Sequence, residues 1–449
     1  MSSIPHVVTP IPGPVSLALY ERERALIAPG LQSVTQWARV CFSYGQGVGL
    51  HDVDGNVVLD FMAGVGVCSI GHAHPRHTAA IAEQAGKLAA GGFTSEPRVE
   101  LLEALRAILP PSLSRVQLYS GGAEAVESAM RLARCATGKS MVVGFWGGYH
   151  GKTDGTRPLS EGEQAGYGLP AAGVVSAPYA DPRYSPFAGD GNLVERTASF
   201  LREMIAHGTN KDIAAIIVEP VQGRGGNIVS PHGFLRAVRE VAHEVGALFI
   251  ADEMITGFYR TGPAFAFMHE DCEPDILIMG KGFGNGFPVS GVATTEVIAN
   301  SLPWAKPSGN SSSYGGNALA CAAALATVRT LRDERLGENA AEVGGHMLRR
   351  LRRLVEQSPI VADVRGKGLL IGIELLSQRS REPLPREEMR GLFLELLSRG
   401  LLVMPSGSTL RINPPLVLTR EQADTGCEII EDVLVHARIG SPTHAAARG

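Results

Sequence analysis

The chain has 449 residues, beyond the size of one ordinary hydrophobic core, so two or more domains are expected. Apolar residues make up 44% and charged residues 19%, the balance of a soluble globular protein and not of a disordered one. A formal net charge of −4 offers nothing to nucleic acid or to an anionic membrane, and no apolar run is long enough to span a bilayer.

The first residues, MSSIPHVVTPIPGPVS, lack the basic-then-apolar pattern of a secretory signal. Leu17, Leu19, Tyr20 and Leu26 then follow a helical spacing, and GVGLHDVDGNVVLDF reads as a hairpin of two strands around Asp54-Gly55. From about residue 75 the texture changes to helices alternating with short apolar strands. HTAAIAEQAGKLAA and RVELLEALRAIL are helical by period, RVQLYS is a strand, and GAEAVESAMRLARCATG is a helix stopped by Gly138. MVVGF is the next strand. Residues 151–191, rich in Gly, Pro, Ser and Asp, read as a long functional loop. There follow helix 193–207, strand IAAIIVE, helix GFLRAVREVAHEVG, and strands ALFIADE and DILIMGKG.

Alternating units with wholly apolar strands predict an α/β fold, with a mostly parallel sheet covered by helices on both faces. Beyond residue 320 a long helix over 318–355, the stretch VADVRGKGLLIGIEL, helix 386–399, GLLVMPSGSTLRINPPL and helix 420–437 read as a smaller α+β domain, with GSPTHAAARG as a loose tail. The expected division is 1–75 for an N-terminal segment joining the small domain, 76–325 for the large domain, and 326–449 for the C-terminal small domain. Cys41, Cys68, Cys135, Cys272, Cys321 and Cys427 stand singly, without a CxxC pair. That spacing argues against a disulfide framework or a metal site and for a cytoplasmic location. His72 and His74 in GHAHP have no third ligand nearby and read as part of a turn.

Ligands of open parallel sheets bind beyond the carboxyl ends of the strands. Ser120-Gly121-Gly122, Glu219, Asp252-Glu253 and Lys281 all fall at such ends. Strand, glycine pair and helix in YSGGAEAVESA can present backbone N–H groups to an anion, or can be simply a tight turn. Asp252 and Glu253 after a wholly apolar strand need partners if buried. Lys281 ends the next apolar strand, where a desolvated amine becomes a nucleophile toward carbonyls. The glycines around it are expected to let the backbone clear a bound ligand. A lysine for a Schiff base, an acid for a pyridinium nitrogen and a nest for a phosphate are together what pyridoxal phosphate needs.

SGGAEAVESAMRLAR, YHGKTDG, IIVEPVQGRGG, FIADEMITGFYRTG, PDILIMGKGFGNGFPVSG, SSSYGGNALA and LRINPPLVLT occur in that order. In this the chain resembles the class III, fold type I pyridoxal-phosphate aminotransferases, over most of its length. The resemblance implies that Lys281 forms the Schiff base and moves the proton, that Asp252 pairs with the pyridine nitrogen, and that Tyr149, before His150, stacks on the ring. It implies a phosphate turn at Gly121, Gly122 and Ala123, where the commonest form has Ser-Gly, so that one side-chain contact is lost here unless Ser120 substitutes. Met254 is placed against the other ring face, Ile255 where many members carry a glutamine, and Glu219 with the cofactor-binding set. Ser313 matches a residue that reaches a phosphate across a dimer interface, which implies a homodimer with shared active sites. Arg411 matches the arginine that clamps a substrate carboxylate.

One departure is VQGRGG, where members acting on 4-aminobutyrate and ornithine have QGEGG. Arg224 replaces the glutamate that masks the substrate arginine. It either faces the site and favours anionic substrates, or points to solvent. The function expected is transfer of an amino group from an amino acid or amine, with ω-amino acids such as 4-aminobutyrate favoured, to 2-oxoglutarate or pyruvate. The alternative is an amino-acid racemase or aminomutase of the same fold.

Overall fold

A computed structural model describes residues 4–162, 166–169, 171–189, 191–378 and 380–437. The tail 440–449 lies outside the described residues. The chain forms two compact units, one of residues 66–70 and 74–340, the other of residues 1–65, 71–73 and 341–449.

The first unit is built on seven strands: β1 (Arg115–Tyr119), β2 (Met141–Phe145), β3 (Val174–Ala177), β4 (Ile213–Val218), β5 (Leu248–Asp252), β6 (Ile276–Met279) and β7 (Ser290–Thr294). Their order across the sheet is β1-β7-β6-β5-β4-β2-β3. β7 is antiparallel to both its neighbours, and the other six strands run one way. This is the mostly parallel, helix-covered sheet that the alternating pattern predicted. Every residue of β4, β6 and β7 is buried, which is why their sequences show no polar alternation. Helix Gly122–Thr137 lays Ala125, Val126, Ala129 and Ala133 on one face of the sheet, against Ile217, Ile250, Ile276, Ile278 and Val292. Its alanines let the backbone come close, and Gly138 ends it in a left-handed turn at φ 69°. Phe234, at the start of helix Phe234–Glu244, meets Phe145 edge-to-face at 5.6 Å.

Two expectations are corrected, and one strand is added to those expected. The 151–191 stretch is not all loop: it contains β3 and a 3₁₀ turn at Arg157–Leu159. Four residues among glycines and prolines are too few to show a period. β7, Ser-Gly-Val-Ala-Thr, has small residues and no apolar run, and is a strand because both neighbours supply hydrogen bonds. The helix over 318–355 is three helices, Ala318–Asp333, Leu336–Leu351 and Leu354–Gln357. The first break falls at Arg335, which is left-handed at φ 54°.

In the second unit the hairpin forms as read. Gly49–Asp52 pairs antiparallel with Val57–Asp60, and Asp52 Oδ1 accepts from the backbone N–H of Asp54 (2.9 Å) and Asn56 (2.7 Å) to fix the turn. The Asp54 carboxylate caps helix Pro14–Arg24 by accepting from Val15 and Ser16 N–H, both at 2.8 Å. His72 of the GHAHP turn meets Asp60 at 2.8 Å. A second sheet runs Val361–Gly366, Ile371–Leu375, Thr409–Ile412, Met404–Ser406, and helices Arg386–Ser398 and Arg420–Val435 complete the unit.

Candidate active site

Because β1, β2, β4, β5 and β6 point the same way, the residues that follow them are gathered at one edge of the sheet. There a cavity of about 410 Å³ has Lys281, Asp252, Met254, Tyr149 and His150 in its wall, together with Ser120, Gly122 and Ala123. A slightly larger cavity, about 460 Å³, lies at Arg115 and Thr294, beside the start of β1. Its acid, Glu296, is half exposed and paired with Arg115, so the buried chemistry belongs to the smaller cavity.

Asp252, 2% exposed, closes β5. Its Oδ2 accepts from His150 Nδ1 at 2.6 Å and its Oδ1 from Met254 N–H at 3.0 Å. Burial opposes a charge on His150, but the hydrogen bond and charge of Asp252, with Glu219 behind them, outweigh it and raise its pKa; Lys281 pulls the other way. The imidazole thus gives the buried carboxylate a hydrogen-bond partner at the cavity. Glu219 does not line the cavity. Its Oε1 accepts from Tyr149 N–H (2.8 Å) and its Oε2 from Gly223 N–H (3.0 Å), so it ties the Tyr149 loop to the 222–226 turn. Burial raises its pKa against the pull of His150 and these two N–H groups.

Lys281 adopts φ 45°, a left-handed conformation uncommon for a side chain of its kind. Gly280 is required by close approach: a Cβ there would lie 2.3 Å from Met254 Sδ. The expectation that the following glycines make room for a ligand needs correction. A Cβ at Gly282 would strike Ser69 Oγ at 2.4 Å, and one at Gly284 would strike Phe287 O at 2.2 Å, so both clear the protein's own atoms. Gly286 does line the cavity.

At the start of helix Gly122–Thr137, Glu124 Oε2 accepts from Ser120 N–H (3.1 Å) and Gly121 N–H (3.3 Å). Those two donors serve the cap. The N–H groups of Gly122, Ala123 and Glu124 come before the first helical bond, which Ala125 N–H makes to Gly121 O at 3.1 Å, and Gly122 and Ala123 are cavity wall, so an anion would fit there. Ser290 Oγ donates to Gly121 O at 2.8 Å and holds the turn. An anion site at a helix start, a lysine and a buried carboxylate in one cavity fit pyridoxal phosphate.

The remaining sequence-picked residues lie outside that wall. Gly121 is exposed. Ile255 is buried, with its Cγ1 3.4 Å from where a Gly66 Cβ would stand. Ser313 is exposed on the 311–317 loop. Arg411 belongs to the other unit, buried on Thr409–Ile412. Arg224 is exposed, and its guanidinium lies 5.1 Å from the centroid of the Tyr149 ring, so it stacks on a cavity residue and does not simply point outward. Lys152 also lines the cavity and was not picked from the sequence, although YHGKTDG contains it.

The family model for class III aminotransferases matches residues 32–434. The chain is 36% identical to an acetylornithine aminotransferase of Methanothermobacter thermautotrophicus over 419 residues, covering 93% of this chain and 98% of that protein. It is 34% identical to an alanine/serine racemase of Pyrococcus horikoshii over 445 residues, 95% and 92% of the two chains. It is equally, 34%, identical to a 4-aminobutyrate aminotransferase of Mycobacterium leprae over 444 residues, 95% and 97%. Among solved structures, an amine transaminase from an uncultivated Pseudomonas species, in its PLP-bound internal aldimine form, superposes with a TM-score of 0.86 at 31% identity, covering 92% of this chain and 99% of that one. The chain belongs to the class III aminotransferases, enzymes of fold type I that work with pyridoxal phosphate.

Proposed function

We propose that the protein transfers an amino group from an ω-amino acid or amine, 4-aminobutyrate being the favoured type, to 2-oxoglutarate or pyruvate. The observation that carries this reading is the meeting of Lys281 and a His150-braced Asp252 in one cavity at the strand ends. The 4-aminobutyrate and amine transaminases among the relatives support the donor class.

Gly122 and Ala123 would hold the cofactor's phosphate, Asp252 its pyridine nitrogen, and Tyr149 and Met254 its ring faces. Bound there, pyridoxal phosphate supplies an aldehyde that takes the amino group and a ring that accepts the electron pair left by a broken C–H bond. Lys281 Nζ would take the proton from the substrate carbon that bears nitrogen and pass it to the carbon that entered as the cofactor's aldehyde. Asp252, fixed by His150 and Met254 N–H, would present its carboxyl group to the ring nitrogen.

The active form is read as a homodimer. Phe93 is 88% and Tyr314 75% exposed, on segments joined where Gly91 meets Asn317, and Ser313 lies beside Tyr314. Exposed aromatic side chains of this kind suit burial by a second copy. A cytoplasmic location is read from the lone thiols, and among the described residues no helix is long and apolar enough to cross a membrane.

A donor panel with 2-oxoglutarate and with pyruvate, followed by product formation, tests the reading. No transfer from any ω-amino acid or amine, with transfer from an α-amino acid, would overturn the donor class. The racemase relative favours a second reading, interconversion of amino-acid enantiomers. Enantiomer exchange without added oxo acid would establish it.

A further inference from the structure

Arg224 is the feature of this site that the reaction does not yet use. It follows Gly223, whose N–H is held by Glu219 Oε2 at 3.0 Å, while the other oxygen of that carboxylate holds Tyr149 N–H at 2.8 Å. A second tie runs alongside, from Gln222 Nε2 to Trp146 O at 2.8 Å. Glu219 and Gln222 are both buried, so the two segments are fastened to each other by interactions shielded from water. The guanidinium lies 5.1 Å from the centroid of the ring of Tyr149, a residue of the cavity wall. Stacking on an aromatic face suits arginine, whose flat cation can lie on a ring and still present N–H groups at its edge.

The charges around the cavity complete the case. Lys152 lines it, Lys281 is assigned to the cofactor, and its buried acid, Asp252, is engaged by His150. Arg224 at Tyr149 adds a second cation, giving a rim that complements an anion carried by the far end of a substrate. We propose that Arg224 is a specificity-determining residue that takes a second carboxylate, so that on the acceptor side the site favours a dicarboxylic oxo acid over a monocarboxylic one. This rests on the amino-transfer reading and names the class of acid the site selects.

The test measures binding of two unreactive acids of similar length, glutarate and butyrate, to the cofactor-loaded protein by calorimetry. Wild type should bind glutarate the more tightly. Arg224→Gln should lower that preference on the order of tenfold, the size of a charge-assisted two-pronged contact. Arg224→Lys, which keeps the charge without the flat stack, should fall between. A preference within threefold of wild type in Arg224→Gln overturns the proposal. A turnover panel on the same wild-type preparation separates the two claims. Amino transfer with an unchanged glutarate preference in the variant removes Arg224 alone. A shifted preference without amino transfer removes the substrate reading and leaves Arg224 as an anion site.

Discussion

His150 Nδ1 and Asp252 Oδ2 lie 2.6 Å apart, both side chains buried, although 102 positions separate them in the chain. The bond joins the loop after β2 to the end of β5 and gives a buried carboxylate a matching donor. Replacing His150 with Phe leaves that carboxylate without its charged partner, at a cost of roughly 3 kcal/mol. Urea denaturation measures it. His150→Asn, which keeps a donor, should recover part of the loss. Equal stability of wild type and His150→Phe would show that the bond does not brace Asp252.

Lys281 is expected to carry both the covalent link to the cofactor and the proton transfer. Lys281→Ala should slow amino transfer by at least about a hundredfold, the low end for loss of a positioned base. Borohydride reduction of the loaded wild type should fix a pyridoxyl group on the peptide containing Lys281, read by mass spectrometry. Labelling at another lysine would move the site elsewhere.

Gly280→Ala would set a Cβ 2.3 Å from Met254 Sδ. Overpacking of this kind costs about 1–3 kcal/mol. Met254→Ala removes the obstructing sulfur, so the double variant should be less destabilised than the two single losses added together. Strict additivity in a double-mutant cycle would mean that the two residues do not compete for this space.

Glu253, fully buried, accepts from Phe267 N–H at 2.7 Å and from the Thr256 hydroxyl, yet burial pushes its pKa from 4.5 up to about 7. The folded chain therefore holds this proton to a higher pH than the unfolded chain. Stability from this group is present below about pH 4.5 and is lost as pH rises to about 7. The loss is about 3 kcal/mol in all. Glu253→Gln removes the titration. Its stability relative to wild type should climb across that window and level off above it, in chemical denaturation at a series of pH values. A flat difference would mean that Glu253 does not titrate there.

The long apolar strands and amphipathic helices of the sheet-bearing unit were legible because each records its own burial. A strand covered on both faces has to be apolar throughout, as β4 is, and Gly138 marks where its helix must stop. Lys281 and Asp252 were legible for a related reason, since a charged residue directly after an apolar strand stands out. Arg335 did not stand out, because a left-handed break in an otherwise helical pattern needs no special residue there.

The sequence by itself determined the family, the alternating architecture and the placement of Lys281, Asp252, Ser120 and Glu219 at strand ends. Tertiary structure alone decided that Asp252 is braced by His150, that Gly280 yields to Met254, that Glu124 occupies two donors of the proposed phosphate turn, and that Arg224 lies on Tyr149. The division has one physical cause. Burial and helix or strand period are properties of a short stretch, while a hydrogen bond, a stacking contact or a close approach between distant segments exists only once the sheet has set their strand ends side by side.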